Sequence, residues 1–321
     1  MNGRLGFVAV IPVFKGFLRT RLIKAAALGS GFLLAFVYGA SALADVTMPV
    51  SFSSVLELKA RKPDLVTRYG SAPSQTAALW MPPLRAEGPV PVVFLVHGGC
   101  WLSDYSAEHI YPLAAKLASD GYAVWVPEYR RVGEPGGGWP GSAADMTLAL
   151  DALAELDNPR IALSRTVVMG HSAGGQLGLW LAARDPALAK PPLRIAAAIG
   201  LAAITDLEAY AKGGNSCQAV THSFMGGTAK ENPRAYEQAS PSLLGTQVPV
   251  RLLRGTADAI VGPEQITAMP RASSMEVPRV GHFDWVHPQT QAYDHVLDAV
   301  FDVLSVSIQP VPPNPPRAEL P

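Results

Sequence analysis

Beyond about residue 66, the chain alternates short runs rich in β-branched and aromatic residues with longer segments whose apolar residues recur at helical spacing. Val90 to Val96 is apolar almost without interruption, the pattern of a central strand covered on both faces. Before it, Val66 to Tyr69 and Gln75 to Met81 read as a leading hairpin. After it, the pattern predicts a helix around Ala107 to Ser119, a strand over Tyr122 to Pro127, a helix around Ala143 to Leu156 and a strand over Thr166 to Met169. A helix over Gln176 to Arg184, with Leu177, Trp180 and Leu181 inward, and a strand over Arg194 to Ile199 continue the alternation. Strands separated by helix-length segments predict an α/β domain built on a mostly parallel sheet.

Between Asp206 and Val248 the alternation gives way to polar and Gly-rich stretches, too long for an ordinary connection and expected to form an inserted cap. The sheet pattern resumes at Val250 to Arg254, followed by a helix near Pro263 to Met269 and a strand near Ser274 to Val280. A closing helix from about Pro288 to Leu304 is expected to bury Val296, Val300, Phe301 and Leu304. From Gln309 onward six prolines preclude regular structure, so residues 308–321 are expected to be a disordered tail.

Charge changes the picture at the other end. Residues 1–44 carry Arg4, Lys15, Arg19, Arg21 and Lys24 but no acidic residue, and the apolar run from Ala25 closes on Ala42-Leu43-Ala44. That is the layout of a cleavable signal peptide, which would leave an exported body, periplasmic or secreted, over residues 45–307. The other reading is an uncleaved N-terminal membrane anchor, since about twenty mostly apolar residues suffice to span a bilayer. Over the whole chain 26 basic residues balance 26 acidic ones, so removal of the leader makes the remainder acidic and argues against nucleic-acid binding. With 49% hydrophobic residues the chain has material for one large core, and its two cysteines cannot form a four-thiolate metal site.

Gly170-His171-Ser172-Ala173-Gly174 stands between a predicted strand and a predicted helix, the context of a nucleophile elbow. A serine in so tight a turn needs strained backbone angles, and side chains two positions before and after it would collide, which Gly170 and Gly174 avoid. Upstream, His97-Gly98-Gly99-Cys100-Trp101 ends a buried strand in a glycine loop able to offer backbone NH groups to a developing oxyanion. The candidate donors are the NH groups of Gly99, Cys100 and Ala173; His97 itself reads as a brace for the loop. An acid and a base should follow the serine at the carboxyl ends of later strands. Asp258, after Gly255-Thr256-Ala257, and His282, after Gly281, fit that order.

Among the rivals, Asp206 reads as the N-cap of a helix entering the cap, Asp284 is too near His282 in sequence, and His287 and His295 belong to the closing helix or its entrance. His222-Ser223 lacks the flanking glycines, and Gly136-Gly137-Gly138 lacks the ending of a phosphate loop. No H-E-x-x-H and no paired Cys–His spacing occurs, so neither a metal nor another cofactor is expected. Cys100 and Cys217 read either as a bridge between the glycine loop and the cap or as two buried thiols. Trp101 and Phe283 are candidates for narrowing an acyl pocket, with Trp139 and Trp285 candidates for the alcohol side or for core positions.

Four ordered motifs, H-G-G-x-W at His97 to Trp101, G-H-S-A-G-G at Gly170 to Gly175, D-x-x-V at Asp258 to Val261 and G-H-F at Gly281 to Phe283, resemble the α/β-hydrolase superfamily. Within it the chain is similar to small esterases related to arylformamidases (kynurenine formamidases) and to bacterial acetyl-esterase-like enzymes, over about residues 65–305. The resemblance implies a mostly parallel sheet of about eight strands with helices on both faces. It further implies a serine hydrolase acting on short-acyl esters through Ser172, Asp258 and His282. An amide or formamide hydrolase with the same triad, and a catalytically silent binding domain, are the competing readings. In the enzymatic readings the partner is a small-molecule ester or amide, not nucleic acid and, once the leader is removed, not a membrane.

Overall fold

A computed structural model describes residues 48–84, 88–184 and 189–306, so the expected leader (1–44) and the proline-rich tail (308–321) lie outside the described residues. Among those described, eight strands form one sheet: β1 (Leu65–Arg68), β2 (Thr76–Trp80), β3 (Val90–Val96), β4 (Ala123–Pro127), β5 (Ile161–His171), β6 (Ile195–Leu201), β7 (Val250–Gly255) and β8 (Ser273–Val277). Their order across the sheet is β1-β2-β4-β3-β5-β6-β7-β8. The leading hairpin is antiparallel and joins β4 antiparallel; every other pair is parallel. This is the expected sheet, with the short helices α1 (Phe52–Glu57), α5 (Leu207–Tyr210), α7 (Pro233–Ala239) and α8 (Glu264–Thr267) beside the longer α2 (Tyr111–Ser119), α3 (Gly141–Ala154), α4 (Ala173–Ala182), α6 (Ser216–Met225) and α9 (Ala292–Val306).

The uninterrupted apolar run of β3 is explained by its two faces. Val92, Phe94 and Val96 enter one core with Trp125 and Leu177, while Val93 and Leu95 enter a second with Leu113, Val296 and Val300. Side chains alternate across a strand, so a strand sandwiched between helix layers needs apolar residues at every position. In α9 the buried stripe runs through Val296, Ala299, Val300, Val303 and Leu304, whereas Phe301 is exposed, contrary to expectation. At 100° per residue Phe301 follows Val300 around the helix and falls off the stripe. β5 begins five residues earlier than its apolar pattern indicated, because Ile161 and Ala162 pair with Val90 and Pro91 across an irregularity in register. β8 ends at Val277, where Pro278 removes the next NH donor.

The 206–248 insertion between β6 and β7 holds α5, α6 and α7. Asp206 accepts from the NH of Ala209 (2.9 Å) as the N-cap of α5. Asn215 and Gln218 form a reciprocal capping box at the start of α6, and Gly226 in the left-handed conformation ends it.

One ionic cluster, buried on its Asp145 side, joins the hairpin to the helix layer. Asp145 of α3 accepts from the Arg130 backbone NH (2.8 Å), from Arg130 Nη2 (2.6 Å) and from Gln75 Nε2 (2.7 Å). Asp145 and Gln75 are buried, so removal of the carboxylate leaves the Gln75 amide without its acceptor, while the partly exposed Arg130 guanidinium can turn to water. We predict that Asp145→Ala lowers unfolding stability by about 1–3 kcal/mol, the usual cost of leaving a buried polar group unpaired, as read from urea denaturation.

Candidate active site

The carboxyl ends of β3, β5, β7 and β8 deliver four loops to one edge of the sheet. At the end of β5 the chain turns sharply into α4, and Ser172 takes φ 55° and ψ −121°, a conformation L-residues avoid. The turn is held on both sides: Ser172 NH donates to Leu201 O (2.9 Å), and Ser172 O accepts from Gln176 and Ile204 NH (3.2 and 3.3 Å). A Cβ at Gly174 would stand 2.1 Å from His97 O, and one at Gly170 would stand 2.1 Å from Gly174 O. Both glycines are therefore obligatory for the close packing of α4 on the strand ends. Ala173 opens α4, where the first NH groups lack intrahelical acceptors and are free to bind an anion.

The loop after β3 carries φ 102° at Gly99, 52° at Cys100 and 58° at Trp101, a run of left-handed residues that curls the backbone over the elbow. Beneath it, His97 Nδ1 faces Gly98 O (2.7 Å), His97 Nε2 faces Glu128 Oε1 (2.6 Å), and the ring stacks on Tyr129. His97 thus braces the loop. Burial pushes the Glu128 carboxyl up, but His97, Arg131 and the Ala107 NH outweigh it and hold Glu128 below the usual range. The loop is also tied covalently, since Cys100 and Cys217 are disulfide-bonded with Cα atoms 5.2 Å apart, which selects the bridge over two thiols and joins the loop to α6.

Asp258 and His282 meet from the ends of β7 and β8. His282 Nδ1 donates to Asp258 Oδ2 (2.8 Å), while Asp258 Oδ1 accepts from Ile260 and Val261 NH (2.8 and 2.9 Å). Burial raises the Asp258 carboxyl, yet the bond and charge of His282 and the two NH groups together hold it below the ordinary carboxylate range. An ionised carboxylate only accepts, so Nδ1 carries the proton that faces it, which leaves Nε2 as the nitrogen able to take up a further proton. Ser172 and His282 both line one cavity of about 220 Å³, with Gly99, Cys100 and Phe283.

Two further features place the imidazole. His171, inside the elbow motif, donates Nε2–H to His282 O (2.9 Å). Burial, then the neighbouring His282, drives the His171 pKa well below the usual value, so this donor is a neutral ring. Asp284, which does not serve as the acid partner, accepts from Gly281 NH (3.1 Å) and Val50 NH (3.2 Å), fastening the histidine loop to the segment before β1.

A family model, BD-FAE, matches residues 79–272, more than half of the chain. The chain belongs to the BD-FAE family. No curated protein matches it. Among solved structures, esterase B from Lactobacillus Rhamnosis is similar with a TM-score of 0.67 and 18% identity, covering 80% of this chain and 90% of that one. Est2 from the Planctomycetes species Thermogutta terrifontis, with propionate bound, has a TM-score of 0.59 and 19% identity, covering 77% and 96%. A truncated carbohydrate esterase from gut microbiota has a TM-score of 0.62 and 16% identity, covering 81% and 100%. The fold of this BD-FAE chain is the α/β-hydrolase fold.

One expected pocket residue is corrected. Trp101 does not line the cavity: it is wholly buried, stacks on Phe224 (4.5 Å) and donates Nε1–H to Gln176 Oε1 (3.1 Å). Its indole needs both an apolar bed and an acceptor, and the core beneath the loop supplies them. Trp285 is likewise core, and Trp139 packs edge-on against Trp180. Phe283 does line the cavity, together with residues that the motifs did not flag: Phe52, Tyr105, His109 and Ile260. Phe52 and Val55 sit in a single six-residue helix that leaves almost no periodic signal.

Burial, followed by the charge of His97, lowers the His109 pKa to about 4. Between that value and the unfolded value near 6.5, the unfolded chain binds more protons, so stability rises with pH. His109 and His171 act in the same direction. We predict that stability is full above about pH 6.5 and declines toward pH 4, with a share on the order of 3 kcal/mol belonging to His109. Urea midpoints from pH 7 to 4 check this. His109→Asn, which keeps a donor for Ser106 O, should flatten the slope.

Proposed function

We propose that the protein is an exported serine carboxylesterase that cleaves esters of short acyl groups. The observation that carries the reading is the His282–Asp258 pair at 2.8 Å, with His282 lining the same cavity as Ser172. Ser172 Oγ attacks the ester carbonyl while His282 Nε2 takes the hydroxyl proton. The oxyanion of the tetrahedral intermediate is met by the NH groups of Ala173, Gly99 and Cys100. As it collapses, the C–O bond to the alcohol breaks, and His282 returns the proton to the departing oxygen. Water then repeats the sequence on the acyl-enzyme, releasing the acid and Ser172.

Asp258 keeps the imidazole in the Nδ1–H tautomer and stabilises its positive form during each transfer. The modest cavity supports a short acyl group, as does the propionate bound to Est2. The Cys100–Cys217 disulfide supports the exported compartment, because such bonds persist in oxidising surroundings.

Ser172→Ala is expected to abolish release of p-nitrophenol from p-nitrophenyl acetate and labelling by a fluorophosphonate, with the fold unchanged by circular dichroism. Asp258→Asn should lower kcat by about 10⁴ through the wrong tautomer. Undiminished turnover in Ser172→Ala would defeat the mechanism.

A further inference from the structure

The cavity that holds Ser172 is walled, on the side of the histidine loop, by a residue from far outside the nucleophile region. Phe52, the first residue of α1, packs its ring against Phe283 (5.3 Å), Tyr105 (5.5 Å) and His109 (5.6 Å). It precedes the stretch matched by the family model, so nothing in the motif set points to it. Beyond it lies a second cavity of about 340 Å³, open to the surface and lined by Val55, Leu56 and Leu58. The two cavities share Phe52, Tyr105 and His109 in their linings and are therefore two sides of one wall.

The wall residues differ in how firmly they are held. His109 is buried and hydrogen-bonded to Ser106 O (2.6 Å), and Tyr105 is fixed through its carbonyl, which accepts from Arg131 Nη1 (2.7 Å). Phe52 is only half-buried and its ring carries no hydrogen-bonding group, so its size can change without leaving a buried polar group unpaired.

The chemistry decides which half of the substrate meets this wall. In the reaction proposed above, on which this inference rests, His282 hands its proton to the departing alcohol oxygen. The alcohol must then lie on the His282 side of the carbonyl. Phe283, the nearest ring to Phe52, is the residue after His282, which sets it beside the alcohol rather than in the acyl pocket for which its sequence position made it a candidate. We propose that Phe52 sets the limit on the alcohol half of the ester: slender alcohols are accepted, bulky ones are turned away, and the open hollow behind Phe52 is an extension of the alcohol subsite that the Phe52 ring shuts off.

The test compares the full chain with Phe52→Ala and Phe52→Trp on ethyl acetate, 1-naphthyl acetate and ethyl octanoate. Circular dichroism and the melting temperature report the fold. In Phe52→Ala, kcat/KM for 1-naphthyl acetate relative to ethyl acetate should rise about tenfold or more, and in Phe52→Trp it should fall below that of the unaltered chain. The octanoate-to-acetate ratio should stay put in both. If alanine unfolds the segment, Phe52→Leu should still move the ratio upward. An unmoved alcohol ratio, or a shift in the acyl ratio instead, would overturn the assignment while leaving the esterase reading intact. An unaltered chain that cleaves none of the three esters would overturn both.

Discussion

The site depends on one close approach of backbones. Where β5 turns into α4, Gly174 lies on the carbonyls of Val96 and His97 at the end of β3, with no space for a side chain between them. That contact lets the strained serine exist and sets the glycine loop of β3 directly beside it. Because β3, β5, β6, β7 and β8 stand in that order and run parallel, their carboxyl ends emerge in a row. Ser172, Asp258, His282 and the loop of Gly99 and Cys100 then need only short connections to converge, which is the geometric reason open α/β sheets place their sites at this edge.

Under the loop of β3 the structure trades apolar packing for ionic order. Glu128 holds His97 from one side and Arg131 and the Ala107 NH from another, so one carboxylate anchors the strand end, the helix layer and the loop at once. This offsets the cost of two non-glycine residues, Cys100 and Trp101, in left-handed conformations that ordinary side chains adopt at a cost of about 1–2 kcal/mol each. The disulfide on Cys100 and the indole bond of Trp101 grip the same two residues.

Most of the scaffold was legible in the chain because strands covered on both faces cannot hide their apolar runs, as Val90 to Val96 demonstrates. Ser172, Asp258 and His282 were legible for a different reason: each follows a strand end, and glycines mark each turn. What escaped were residues acting through space. Phe52 is part of a six-residue helix, and His171 looks like filler in its motif until the His282 carbonyl is found above it. Trp101 misled because a tryptophan beside a glycine loop looks like a pocket wall, whereas its Nε1–H had a buried acceptor waiting. Phe301 misled for a simpler reason, lying one position beyond the buried stripe of its helix.

Gln176 bridges two parts of the molecule. Its Oε1 takes the indole hydrogen of Trp101, and its Nε2 donates to Ala239 O (2.8 Å) at the end of the inserted segment. The amide is wholly buried, so a drift of either neighbour would leave one of its polar groups unpaired away from bulk solvent. One amide thereby couples the 206–248 insertion mechanically to the glycine loop after β3. Loosening at either end would be felt at the other as misalignment, even by a ligand that touches neither.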